Sequence, residues 1–139
     1  MNSSPSDMTL EEKAKKAMED GEFEESIKYY EEILKNKNES EVWNNLGTAY
    51  LNIDNFNKAV ECFNKALELN AQEFVALNNL GVIHVQEGKF EEAITYFRKA
   101  LSIKPDNPSI WENLAECYER IGKYSDANTC KMNAIRLRS

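Results

Sequence analysis

Three asparagines, Asn45, Asn79 and Asn113, stand at the same phase of a 34-residue step. A primary amide both donates and accepts hydrogen bonds. A column of amides can therefore pair with the N–H and C=O groups of an extended backbone without reading its side chains. Each such bond contributes about 0.5–1.5 kcal/mol net. Three supply a few kcal/mol, against the roughly 8 kcal/mol that micromolar binding requires. Apolar neighbours must add the rest, and Leu51, Val75, Val82 and Val85 fall close by in sequence.

Groups suited to bond-making chemistry are sparse. The single histidine, His84, shares a column with Tyr50 and Tyr118 and reads as a packing residue. Cys62, Cys117 and Cys130 are odd in number and lack CxxC spacing, so they read as reduced, packed thiols. The adjacent pairs Glu11/Glu12, Glu24/Glu25, Glu31/Glu32 and Glu91/Glu92 would diverge around a helix and cannot share a proton. Neither a glycine-rich phosphate loop nor metal-ligand spacing is present. The expectation is a chain without catalytic residues, metal or cofactor.

The amides must be carried by something periodic. Trp43–Tyr50 reads WNNLGTAY, and it recurs as LNNLGVIH from Leu77 and as WENLAECY from Trp111. A period of this size marks one supersecondary unit stacked on copies of itself. Apolar spacing predicts helices over about 41–53, 56–69, 74–87, 90–103, 108–121 and 124–137, with an earlier pair in the first 40 residues. Thr9-Leu10-Glu11-Glu12 has the form of a capping box that starts the first of these. Tight turns fall at Asp20-Gly21, Asp54-Asn55, Gly88-Lys89 and Gly122-Lys123. No period-2 alternation is sustained, so the class is all-α.

Columns of small residues run through the units: Ala14, Gly47, Gly81, Ala115; then Ser26, Ala59, Ala93, Ala127; then Ala66, Ala100, Ala134. Small side chains let two helices approach closely while larger ones fill the flanking grooves. With Trp43, Leu46, Gly47, Tyr50, Ala59, Phe63 and Ala66, the pattern resembles the tetratricopeptide repeat. The third unit matches at Leu80, Gly81, Gly88, Ala93, Phe97, Ala100 and Pro105. The fourth matches at Trp111, Leu114, Tyr118, Gly122, Ala127 and Ala134. The first is degenerate, with Lys13 and Ile33 at pattern positions, and is one residue short.

The resemblance implies an α-solenoid of four helix-turn-helix repeats, a right-handed superhelix with a concave groove. The repeats are expected at about 7–39, 40–73, 74–107 and 108–139, after a disordered start over residues 1–7. Asn128 and Lys131 stand where Ile94 and Phe97 stand one unit earlier. If those apolar residues dock the following repeat, the last helix ends the stack with a polar face, and four units form a complete protein.

In such repeats the first helix of each unit lines the groove. The resemblance thus implies a peptide-binding surface of Asn44, Asn45, Thr48 and Leu51, then Asn78, Asn79, Val82 and Val85, then Asn113 and Glu116. Asparagine in this column also caps or bridges helices, so its role has two readings. The family variant that clamps a carboxylate with basic residues is not matched, since Glu11, Lys15, Asn45, Val75 and Asn79 occupy its columns.

A net charge of −7 disfavours nucleic acid and anionic membrane as partners. The acidic fourth unit, with Glu112, Glu116 and Glu119, points to a protein or peptide partner with a basic patch. The amino terminus lacks the basic start and apolar run of a signal peptide, and no segment is long and apolar enough to span a membrane, which suggests a cytoplasmic protein. The alternatives to peptide capture are a self-associating assembly subunit, including a weak homodimer, and an accessory module beside an enzyme.

Overall fold

A computed structural model describes residues 7–139, which form eight α-helices and no strand. The disorder expected at the amino terminus falls on residues outside those described, apart from Asp7. The chain divides into two compact units, residues 1–71 and 72–139.

In the first unit α1 (Leu10–Glu19) and α2 (Phe23–Leu34) form one hairpin, α3 (Ser40–Asn52) and α4 (Phe56–Leu69) the next. Thr9 starts α1 as a full capping box: its hydroxyl accepts the Glu12 N–H at 3.1 Å, and the Glu12 carboxylate accepts the Thr9 N–H at 3.4 Å. Ala14, Ala59 and Ala66 are sealed where helices cross, and Ile27, Ile33 and Leu46 fill the space beside them. Ser26 is also sealed, and its hydroxyl donates to the Phe23 carbonyl at 2.8 Å, so no buried donor is left over. The Ser40 hydroxyl donates to the Ala66 carbonyl at 2.9 Å and ties the start of α3 to the end of α4. The turn between them holds Asp54 at φ 60°, the left-handed geometry that glycine takes in the other three hairpin turns.

The second unit repeats the plan with α5 (Phe74–Gln86), α6 (Phe90–Ile103), α7 (Pro108–Arg120) and α8 (Tyr124–Arg138). Asn107 accepts the Ile110 N–H at 3.2 Å, and Pro108 occupies the first helical position, where its missing donor is harmless. Leu80, Ile83, Phe97, Ile110 and Leu114 form the core. Each of the six helices expected from residue 41 onward appears with ends displaced by one residue at most.

Two expectations about packing change. Phe97, expected on the surface that meets the following repeat, and Phe63 in the same column press on the first helix of their own repeat. A Cβ placed on Gly47 would lie 2.7 Å from Phe63 Cε1, and one on Gly81 would lie 2.5 Å from Phe97 Cε1. The glycines are there to admit the rings. In the fourth repeat Ala115 already fills that space, and Lys131 replaces the ring and reaches Glu119 at 2.8 Å instead. Nor is the outer surface of α8 polar throughout. Tyr124, Met132 and Ile135 are exposed there, the last two at 70% and 67%.

Candidate functional site

Asn45 is half-buried on α3 and lines a cavity of about 200 Å³ between α1 and α3. Glu11, Lys15, Lys37 and Glu41 border it. Lys37 reaches Glu11 at 3.4 Å. A backbone hydrogen bond first, and Lys37 second, hold the Glu11 carboxyl below its ordinary pKa. Thr48 and Leu51 are half-buried on the same helix. The Thr48 hydroxyl donates to the Asn44 carbonyl at 3.0 Å, and the Asn52 amide donates to the Thr48 carbonyl at 2.8 Å. Asn44 itself is buried, and its Oδ1 meets no donor among the described residues. A ligand on the surface of this unit would therefore reach Asn45 before Asn44.

In the second unit Asn78 and Asn79 are half-buried on α5 and Asn113 on α7. The Asn113 Nδ2 donates to the Asn78 Oδ1 at 3.0 Å, so these two amides bridge their helices. Val82 and Val85 are half-buried and Glu116 is exposed. Val75, Asn79, Val82 and Gln86 follow one another at four-, three- and four-residue steps and make one stripe along α5. Of the acidic residues on α7, Glu112 pairs with Arg138 and Glu119 with Lys131, so α8 neutralises two of the three. Acidity is concentrated elsewhere: residues 1–71 carry 15 Asp/Glu against 8 Lys, whereas residues 72–139 carry 9 against 9 Lys/Arg.

A second kind of hollow was not anticipated. Trp43, Leu46 and Tyr50 lie on the side of α3 roughly opposite Asn45. With Leu34 and Cys62 they floor a crevice of about 560 Å³ between α2 and α4, rimmed by Glu31, Lys58, Glu61 and Lys65. The equivalent crevice in the second unit, about 480 Å³, holds Leu101, Trp111, Leu114, Tyr118 and Cys130 beneath Arg98 and Asp126. The Trp/Leu/Tyr column suggested only stacking; the incomplete burial of both tryptophans is a tertiary outcome. The Tyr50 hydroxyl donates to Glu31 at 2.9 Å, and Lys58 sits 5.5 Å from the ring centroid. Burial, reinforced by Glu31, pushes the Tyr50 hydroxyl up to about 12. Burial chiefly, with Glu61 adding, pushes the Cys62 thiol to about 12, and burial raises Cys117 to about 11 and Cys130 as well. All three thiols are buried and held as thiols, the opposite of a reactive cysteine.

His84 lies half-buried between carboxylates, Nδ1 3.6 Å from Glu87 and Nε2 4.0 Å from Glu92, and its ring packs 5.1 Å from that of Tyr96. Among the described residues no three His, Cys, Asp or Glu side chains converge as a metal site.

These helix hairpins, with their glycine-ring contacts and left-handed turns, match the model of the cilia and flagella-associated protein 70 middle TPR-like domain over residues 10–138. The chain belongs to this family. Its fold is also that of MamA. One crystal structure of MamA is 23% identical and superposes with a TM-score of 0.83, covering 94% of this chain and 78% of that one. Another is 20% identical, with a TM-score of 0.68 and coverage of 93% and 90%. At such identities the likeness speaks for the fold alone. No curated protein sequence matches the chain. The family and the fold make it a TPR-like repeat protein, the architecture of a protein–protein interaction module. Among the described residues no helix is long and apolar enough to cross a membrane.

Proposed function

We propose that this chain holds an extended segment of a partner protein against the first helices of its repeats, as a cytoplasmic scaffold that performs no chemistry. The observation that carries this reading is the stripe on α5. Val75, Asn79, Val82 and Gln86 lie outside the sealed core of Leu80 and Ile83, and alternate apolar surface with amide. Amides of this kind satisfy a peptide backbone, and the valines between them accept apolar side chains. Within the first unit Asn45, Thr48 and Leu51 offer the same chemistry on α3, and within the second Asn78, Asn113, Val85 and Glu116 add to the surroundings of the stripe on α5 and α7. A partner segment bearing Lys or Arg suits the acidity of residues 1–71 and of Glu116.

A peptide array probed with the purified protein would supply a ligand. Asn79→Ala and Val82→Ser should each weaken its binding several-fold, while far-UV circular dichroism and melting stay near wild type. Asn113→Ala removes the bridge to Asn78 as well, so it should both weaken binding and lower stability by about 1 kcal/mol. Unchanged affinity in the Asn79 and Val82 variants would refute peptide capture on α5 and leave the amide column a structural feature.

A further inference from the structure

The crevice beside Trp43 is a second place where this chain can hold a partner. We infer that it takes one aromatic side chain of a partner protein, with Lys or Arg next to it in sequence, at a site other than the amide stripe of α5. Floor and walls belong to the first unit: α3 lays down Trp43, Leu46 and Tyr50, α2 contributes Leu34, and α4 contributes Cys62. Its volume of about 560 Å³ lies within the range of ligand pockets, roughly 300–1,000 Å³. The Trp43 indole stays half-buried here, held at its edge by donation from Nε1 to Asn38 Oδ1 at 2.7 Å. An apolar floor fixed before binding costs little to order.

The chain itself shows what such a hollow accepts. Cys62, Tyr96 and Cys130 stand at one phase of the 34-residue step, as do Tyr50, His84 and Tyr118. In the third repeat the Tyr96 ring packs on the His84 ring, 5.1 Å between centroids. In the second repeat the shorter Cys62 leaves space beside Tyr50, and in the fourth Cys130 does the same beside Tyr118. An aromatic ring from a partner supplies from outside what Tyr96 supplies from within, in the offset or tilted contact that rings prefer. Charge decides between the two crevices. Around the first stand Glu31, Glu61 and Glu68 with Lys58 and Lys65; around the second, Asp126 alone faces Arg98 and Lys123. Lys65 pairs with Glu68 at 3.5 Å, Glu31 accepts from Tyr50, and Lys58 stands over the Tyr50 ring. Of these rim charges Glu61 alone has no partner among the described residues. Burial first, then the charges of Glu61 and Glu31, raise the Cys62 thiol, so both carboxylates act on the floor. A cation beside the aromatic anchor is therefore drawn to the first crevice and repelled from the second.

Nuclear magnetic resonance of the whole chain tests this, because its two tryptophan indole N–H signals report one crevice each. Trp111→Phe assigns the pair. Acetyl-Lys-Tyr-Arg-amide, titrated to about 10 mM, should shift the Trp43 signal saturably with low-millimolar affinity, and should move the Trp111 signal less. Acetyl-Lys-Ala-Arg-amide should bind at least about tenfold more weakly, since the anchor is gone. Glu61→Gln should weaken the first peptide about two- to fivefold, and acetyl-Glu-Tyr-Glu-amide should bind the wild type more weakly by at least as much. Cys62→Tyr supplies the ring from within and should abolish the Trp43 response, while melting stays at or above wild type. Where that variant folds poorly, the peptide exchanges and the exposed Glu61→Gln still decide. Absence of a saturable Trp43 shift, equal affinity for the tyrosine and alanine peptides, equal responses at Trp43 and Trp111, or a folded Cys62→Tyr that binds as the wild type does would each overturn the inference.

Discussion

Gly81 offers the most direct test of how a repeat closes on itself. It lies mid-helix in α5, where replacing glycine with alanine ordinarily gains about 0.5–1 kcal/mol of helix propensity. A Cβ there would sit 2.5 Å from Phe97 Cε1 and 2.8 Å from both Cδ1 and Cζ, whereas carbon atoms in good contact stand about 3.5–4.0 Å apart. Phe97 is fully buried, so the ring cannot swing into solvent and must retreat by about 1 Å into its neighbours. Overpacking of that kind costs about 1–3 kcal/mol. Gly81→Ala should therefore destabilise the protein by up to about 2.5 kcal/mol, centred near 1 kcal/mol, after the propensity gain is deducted. Phe97→Leu alone should cost about 1–1.5 kcal/mol through the space it leaves. Combined, the two should destabilise by about 1 kcal/mol less than their sum, because the added methyl enters the space the ring vacates. Urea unfolding followed by far-UV circular dichroism measures all four corners of the cycle. If Gly81→Ala stabilises by its full propensity value and shows no coupling to Phe97→Leu, the glycine is not there for the ring. The fourth repeat already contains the double replacement, with Ala115 and Lys131.

Two further perturbations follow from the first unit. Tyr50→Phe removes the bond to Glu31 and should cost about 1 kcal/mol at pH 7. The folded hydroxyl titrates at about 12 and the unfolded one near 10, so its contribution is complete below pH 10 and is lost as pH rises toward 12. The variant should lose stability less steeply over that range than the wild type, with Cys62 supplying part of the remaining slope; equal slopes in urea titrations at pH 9 to 11 would refute the assignment. Asp54→Gly relieves a left-handed side-chain conformation and should raise stability by about 0.5 kcal/mol, whereas Asp54→Val should lower it by more than 1 kcal/mol. Melting temperatures of the two variants should move in opposite directions.

The helices, their turns and the repeat family were legible in the chain itself, because each rests on short-range order. A capping box needs four consecutive residues, a hairpin turn needs one position at positive φ, and a 34-residue period returns the same columns to the same faces. What each column touches was less accessible. Gly47 and Phe63 are 16 residues apart, and only the closure of α3 on α4 shows that one exists to admit the other. Asn44 and Asn45 are neighbours of one residue type, yet one is buried and the other lines a cavity, since burial depends on what packs across the helix. Likewise Glu112 and Glu119 read as unpaired acidity until α8 brings Arg138 and Lys131 to them. Local order is written residue by residue. Coverage and pairing belong to the packed helices, where a side chain's environment is set by elements many residues away.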